Sequence, residues 1–221
     1  MRREIVADLR SLLGPDRAIG DSLLPPVAFF AANAIAGLGW AAVVGLTVGV
    51  GVSAMRVIRG HRWAAAIYGL AAVVISIVAA LRTDRAAGYV LPTIVMTLVL
   101  AIATAITILV RRPFTGWVSM FVRGWPGSWY WRDDVRPAYS ITSWYWCGFY
   151  LARATAIWIA FRYAGLGVLL TVRVLVSWPT MLPLLIVSYV RGNAKLHDLG
   201  GPTVEEHVAD APPPWGRQRG F

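Results

Sequence analysis

The chain has 221 residues, of which 57% are hydrophobic, and its formal net charge at pH 7 is +10. Soluble domains contain about 45–50% apolar residues, so this composition indicates a membrane protein and excludes an ordinary soluble domain. The basic residues occur one to three at a time between apolar runs. That pattern is typical of loops retained in the cytoplasm, and it argues against a nucleic-acid partner.

The first apolar run, residues 22–55, contains 34 residues without a charged side chain. A helix of that length would be about 50 Å long, whereas the hydrocarbon core of a bilayer is about 30 Å thick. Gly37, Leu38 and Gly39 lie near its middle. We therefore expect two short helices, residues 23–38 and 39–55, joined by a tight turn; a single strongly tilted crossing is the alternative.

Charged residues divide the rest of the chain into four further apolar segments. They predict helices at residues 63–81, 86–110, 141–164 and 167–190. The sequence thus predicts an all-α, polytopic membrane bundle of six transmembrane helices. We expect residues 1–21 to form a cytoplasmic amphipathic segment, residues 22–191 the bundle, and residues 192–221 a disordered cytoplasmic tail.

The distribution of basic residues predicts the orientation. Ten of them follow the second, fourth and sixth helices, and three follow the third and fifth. The ten are Arg56, Arg59, Arg62, Arg111, Arg112, Arg123, Arg132, Arg136, Arg191 and Lys195, and the three are Arg82, Arg85 and Arg162. Because cytoplasmic loops are enriched in Lys and Arg, we expect a bacterial inner-membrane protein with both termini in the cytoplasm.

The loop at residues 111–137 carries an amphipathic pattern. Apolar residues recur there every three or four positions, which predicts a helix lying in the inner interface with its flanking arginines near lipid phosphates. Membrane anchoring and docking of a membrane-protein partner both explain this loop. The candidate contact residues are Arg111, Arg112, Trp117, Phe121 and Trp125.

A few polar residues lie within the predicted crossings. Arg153 falls near the middle of the fifth, where an unpaired guanidinium costs about 2.5–3.5 kcal/mol on insertion scales. Arg173 lies in the sixth, Asn33 in the first, and Thr93 and Thr97 on a polar stripe of the fourth. One interpretation is an internal site for an anion or a lipid headgroup. The alternative is that the arginines bind backbone carbonyls freed at prolines, stack on aromatic rings, or reach water.

The sequence offers no catalytic arrangement. The predicted crossings contain no Asp or Glu, the three histidines lie in loops or the tail, and glycine-rich phosphate loops and zinc-ligand spacings are absent. Proton-coupled carriers generally use membrane-embedded carboxylates. We therefore expect no enzymatic activity, no metal and no cofactor.

Several short motifs occur in order along residues 20–192. They are Asp21-Ser22-Leu23-Leu24-Pro25 leading to Phe29, Arg56, Arg111-Arg112-Pro113 with Gly116, Trp131-Arg132, Trp146 with Phe149 and Arg153, and Trp178-Pro179. Their order resembles an actinobacterial integral-membrane family of unknown function, itself similar to the intracellular septation protein A family. The resemblance implies a polytopic inner-membrane protein tied to envelope synthesis or division, and it carries over no catalytic residue.

Two functions are therefore expected. The first is a non-enzymatic membrane protein that scaffolds or regulates cell-envelope or division machinery through its arginine-rich and aromatic inner loop. The second is a small transporter or binder of an anion or lipid headgroup that uses membrane-embedded arginines. Partners would be the lipid bilayer and a membrane protein at the cytoplasmic interface, and a homo-oligomer is compatible with the sequence.

Overall fold

A computed structural model describes residues 17–60 and 63–216. The described chain is all-helical and contains no strand, as expected. Its helices are α1 (Arg17–Ile58), α2 (Trp63–Arg82), a 3-10 helix (Ala86–Val90), α3 (Leu91–Leu109), α4 (Phe114–Arg123), α5 (Gly127–Tyr130), α6 (Arg136–Tyr163), α7 (Leu166–Leu175), α8 (Trp178–Leu199) and α9 (Val204–Val208). Of the predicted N-terminal surface segment, residues 1–16 lie outside the described residues, and residues 17–21 form the start of α1.

The chain divides into two compact units, with the boundary between Pro92 and Thr93 inside α3. The first unit comprises α1, α2 and the 3-10 helix. The second contains most of α3 and all later helices.

α1 is a hairpin of two helical arms and not one straight helix. Gly37 interrupts it with φ of 82° and ψ of 179°, a conformation that glycine adopts without the penalty of a Cβ atom. A Cβ atom placed on Gly45 would lie 3.1 Å from the Cβ atom of Phe29. Sixteen residues of continuous helix would separate these positions by about 24 Å. The predicted division of this run into two helical arms at residues 37–39 is therefore confirmed.

The first unit has a small core in which the hairpin arms meet α2 and the 3-10 helix. Phe29 is fully buried, and its ring centroid lies 4.6 Å from that of Tyr89. Small residues on the second arm permit close approach: a Cβ atom on Gly49 would lie 3.1 Å from Val73. One turn further, Ser53 Oγ donates a hydrogen bond to the Ala66 carbonyl at 3.3 Å.

In the second unit, α6 packs against both α7 and α8, and α4 packs against α6. α7 and α8 continue one another across a break at Val176 and Ser177, where Ser177 has φ of −100° and ψ of −118°. Proline at the second position of α8, Pro179, suits a helix start because its missing N–H group would have no intrahelical acceptor there.

The segment after Gly192, expected to be a disordered tail, is folded as far as Gly216. α8 continues to Leu199, and α9 follows after a short turn. The Trp129 indole Nε1 donates to the Pro202 carbonyl at 2.9 Å. This partner is 73 residues away in sequence, so the polar local composition of the tail gives no sign of it.

Four described helical segments are long and apolar enough to cross a membrane: Leu23–Ile58, Trp63–Arg82, Ala86–Leu109 and Leu166–Leu199. The first of these is the α1 hairpin, and the last is the broken pair α7 and α8. α6, expected as the fifth crossing, is not among them. Its 28 residues include Arg153 and many Trp and Tyr residues, which make it less apolar than the others.

Candidate functional sites: an aromatic cap and an arginine beside a helix break

The second unit carries at one end a packed group of buried side chains, here called the aromatic cap. It is formed by α4, α5, the start of α6, the end of α8 and the segment that follows α8. Its buried members are Trp129, Tyr130, Val135, Ala138, Tyr139 and Leu196. The loop at residues 111–137 is therefore part of a folded body with its own core.

α4 is attached to this body through its polar and small side. Thr115 Oγ1 donates to the Tyr139 carbonyl at 2.8 Å and lies 2.9 Å from Ser143 Oγ. Ser119 Oγ lies 3.1 Å from the Tyr130 hydroxyl. Gly116 is buried on the same side, where an added Cβ atom would lie 3.2 Å from Trp131.

The apolar side of α4 points away from the body. Phe121 is 87% exposed and Val122 is 63% exposed, and Trp117 and Val118 are exposed beside them. A helix in a soluble protein buries its apolar face and exposes its polar face. The reverse arrangement indicates that the outer side of α4 faces an apolar medium or a partner.

Cationic side chains stack on tryptophan rings at both ends of α4. The Arg112 guanidinium lies 5.0 Å from the centroid of Trp131, and the Arg123 guanidinium lies 4.7 Å from that of Trp125. Such contacts hold the arginines at the edge of the aromatic cap while their charge remains near water. Arg111 is exposed and precedes α4 in a left-handed conformation with φ of 58°.

The five residues predicted to contact lipid or a partner thus lie on or next to one helix. Trp117 and Phe121 are on its outer side, Arg111 and Arg112 precede it, and Trp125 follows it. The Trp117 and Trp131 ring centroids are 5.3 Å apart, which links the outer side of α4 to the aromatic cap.

The segment after α8 closes over the aromatic cap. Ser128 Oγ and His207 Nε2 are 3.0 Å apart, and the Arg132 guanidinium lies 5.3 Å from the Trp215 ring centroid. Within the segment, Glu206 accepts hydrogen bonds from the Thr203 amide at 2.8 Å and the Gly216 amide at 2.7 Å. These two bonds stabilise the carboxylate and lower the pKa of Glu206 below its usual 4.5, and the bond from Thr203 has the larger effect.

Burial also affects the phenol of Tyr130 in the aromatic cap. Removal from water raises the pKa of Tyr130 above its usual 10.0, and the hydrogen bond with Ser119 acts in the opposite direction. The neutral phenol is therefore the stable form, and this residue acts as a packed hydrogen-bonding side chain. Among the described residues, no group of three or more His, Cys, Asp or Glu is placed to hold a metal ion.

Arg153 lies beside the break between α7 and α8. Its Nη2 atom lies 3.5 Å from Ser177 Oγ, and Ser177 in turn donates to the backbone carbonyl of Arg173. The structure therefore links the Arg153 side chain to the backbone of Arg173 through Ser177. The Arg153 Nε atom is buried and has no hydrogen-bond partner among the described residues.

The other predicted polar residues have simpler surroundings. Thr97 Oγ1 donates to the Thr93 carbonyl at 2.7 Å, within its own helix. Thr104, on the same stripe, likewise donates to the Leu100 carbonyl. Such bonds satisfy the hydroxyl groups without a ligand. Asn33 is half-buried and belongs to the first unit, whereas the threonines and arginines belong to the second.

The described chain is thus all-helical, contains no strand and has four segments long and apolar enough to cross a membrane, which is consistent with a multi-helix membrane protein. Residues 13–197 match the model of the family described as "Protein of unknown function (DUF3159)", and the chain belongs to that family. No curated protein and no solved structure matches it.

Proposed function

We propose that the protein crosses the bacterial cytoplasmic membrane six times, with both termini and the aromatic cap on the cytoplasmic side. The first four crossings are the two arms of α1, then α2 and α3. The other two are α6 and the broken pair α7–α8. The turn of the α1 hairpin at Gly37 and the single arginine within residues 137–161 of α6 support this count. The excess of arginine near α4 supports the orientation.

This topology is tested by labelling in intact cells. Replacing the only cysteine in Cys147→Ala gives a background for single cysteines. Ile35 is 88% exposed beside the α1 turn, and Ile58 is 84% exposed at the other end of the hairpin. A membrane-impermeant maleimide should label Ile35→Cys in intact cells and Ile58→Cys only after permeabilisation. The opposite pattern would reverse the orientation.

For its role, we propose a non-enzymatic protein that scaffolds or regulates cell-envelope or division machinery. The observation that carries this proposal is the aromatic cap: a folded body with a buried core, and a helix beside it whose apolar side points outward. A simple membrane anchor needs no such core. The link to envelope synthesis or division rests on the resemblance of the motif order to an integral-membrane family that is itself similar to the intracellular septation protein A family.

Photo-crosslinking in the native membrane tests this role. A photoreactive residue replaces Trp125, at the rim of the aromatic cap, or Trp117, on the outer side of α4. Val174 of α7 is the matched control because it is 64% exposed but lies outside the cap. We expect one protein adduct of fixed mass from the cap positions, identified as an envelope or division protein and missing at Val174. Recovery of lipid alone from all three positions would contradict the scaffold role.

A second candidate function is a small transporter or binder of an anion or lipid headgroup. The buried, unpartnered Nε atom of Arg153 favours it, because a guanidinium inside a membrane requires compensation. Direct binding measurements with the purified protein test it.

A further inference from the structure

Arg132 binds a carboxylate through the Nε–Nη2 edge of its guanidinium group, whereas Arg153 has no carboxylate at the same edge. Arg132 donates from Nε to Asp134 Oδ1 at 2.9 Å and from Nη2 to Asp134 Oδ2 at 2.8 Å. This two-point geometry is the preferred way in which arginine binds two adjacent oxygens of one anion. At Arg153, Nη2 has only the 3.5 Å contact with Ser177, and Nε has no partner among the described residues.

No protein carboxylate is available near Arg153 in the sequence. Residues 135–197, which include α6, α7 and almost all of α8, contain no Asp or Glu. Arg153 also lies ten residues before Tyr163, the last residue of α6, which is about 15 Å along the helix and about half the thickness of a bilayer core. If α6 crosses the membrane as proposed above, a guanidinium at that depth lies far from bulk water and requires another partner.

The start of α8 adds a second electropositive group at this place. Ser177 occupies the position before the first helical residue, where a serine normally accepts a hydrogen bond from the first turn. Its side chain makes no such bond and donates to the Arg173 carbonyl instead. The first turn of this 22-residue helix is thus left without a side-chain cap, and its N–H groups at Trp178 and Thr180 favour an anion, whereas Pro179 has none to offer.

We infer that Arg153 binds an oxyanion with two adjacent oxygens, of the phosphate class, between its Nε–Nη2 edge and the first turn of α8. The inference rests on the second candidate function and specifies its site. A spherical halide would use the two-point edge poorly, whereas a phosphate group matches it as the carboxylate of Asp134 matches Arg132. The phosphate could belong to a free ion or to a phospholipid headgroup.

Binding requires a small movement of the site. The Nε atom lies below the surface of its unit, while the Arg153 side chain as a whole is half-buried. Rotation about its terminal torsions, with loss of the long contact to Ser177, would turn the open edge toward the ligand. Ser177→Ala should therefore leave binding intact or strengthen it.

The test uses the full chain, purified first in detergent and then in nanodiscs. Radiolabelled inorganic phosphate is the first probe, and phosphatidylglycerol retained in native mass spectra is the second. Arg153→Gln removes the edge, and Arg153→Lys keeps the charge but loses the two-point geometry. Arg162→Gln, at the exposed end of the same helix, is the matched control.

Loss of phosphate binding in Arg153→Gln, with a Kd about tenfold or more higher in Arg153→Lys and unchanged binding in Arg162→Gln, supports the site with a free ion as ligand. The same pattern for retained phosphatidylglycerol supports a lipid ligand. Arg153→Lys keeps the test decisive if the glutamine variant does not fold.

Binding by the wild type that is equal in both Arg153 variants would overturn this site while leaving the second candidate function in place. Absence of binding to either probe in the wild type would overturn both. Neither result affects the scaffold role, which the crosslinking experiment tests separately.

Discussion

Asp21 Oδ2 and Arg59 Nη1 lie 3.2 Å apart and form an ion pair, although 38 residues separate them. On one continuous helix they would be about 57 Å apart. The pair therefore joins the open ends of the α1 hairpin, opposite the turn at Gly37. Because both residues are partly exposed, the pair itself contributes little to stability, and the packing of Phe29 against Gly45 holds the arms together.

The hairpin predicts a specific crosslink. In the Cys147→Ala background, Phe29→Cys with Gly45→Cys should form a disulfide under mild oxidation. The Cβ atoms at these positions are 3.1 Å apart, and a small separation of the arms brings them to the distance of about 3.5–4.5 Å that a disulfide spans. Faster migration on a non-reducing gel measures it. Phe29→Cys with Gly51→Cys is the control, as Gly51 has no neighbour within 4 Å. A straight α1 would give no crosslink from either pair.

Gly88 should not tolerate alanine. A Cβ atom there would lie 2.8 Å from the Ala79 carbonyl oxygen, which belongs to the backbone of α2 and cannot move aside easily. We expect Gly88→Ala to reduce stability by about 1–3 kcal/mol, the usual cost of overpacking, seen as a lower Tm in detergent. Gly39→Ala is the control, because Gly39 has open space around it. Equal Tm values for both variants would show that the 3-10 helix packs less closely against α2.

Thr115 should stabilise the attachment of α4 to α6. Its hydroxyl group contacts the Tyr139 carbonyl, Thr142 and Ser143, so Thr115→Val keeps the shape and leaves these groups with fewer partners. We expect Thr115→Val to reduce the free energy of unfolding by about 1–3 kcal/mol, measured as a lower Tm. Thr171→Val is the matched control. Thr171 is exposed, and its hydroxyl group donates to the Gly167 carbonyl within its own helix. We therefore expect Thr171→Val to change the free energy of unfolding by no more than about 0.5 kcal/mol.

Acid should loosen the segment that follows α8. The folded-state pKa of Glu206 is lowered below 4.5, so the stabilisation it gives is fully present above that value and is lost as the pH falls through the lower folded-state pKa. Hydrogen exchange of the Thr203 and Gly216 amides, corrected for the intrinsic rate, measures this change.

Glu206→Gln should remove the acid-dependent part of this exchange and raise exchange already at neutral pH, because one amide oxygen cannot replace both carboxylate oxygens. The neighbouring Glu205 is exposed, and Glu205→Gln should behave as the wild type. An acid response that persists in Glu206→Gln would assign the effect to another group.

Local chemistry made several features predictable from the sequence. A charge-free run longer than a bilayer is thick, with Gly37 near its middle, predicts two arms, because glycine is the residue that permits the required positive φ. The three- and four-residue spacing of Trp117, Phe121 and their neighbours predicts α4, because that spacing repeats with the turns of a helix. Both predictions depend only on residues that are close together in the sequence.

Only the tertiary structure decided which side of α4 faces inward, that Ser177 joins Arg153 to the α7–α8 break, and that Trp129 holds the segment after α8. Each of these contacts joins residues 24 to 73 positions apart. Such pairs form only when helices pack, and residue type or periodicity along one segment does not specify them. The sequence by itself determined a helical chain apolar enough to span a membrane, with an arginine-rich aromatic loop, and packing determined which of its polar groups meet partners.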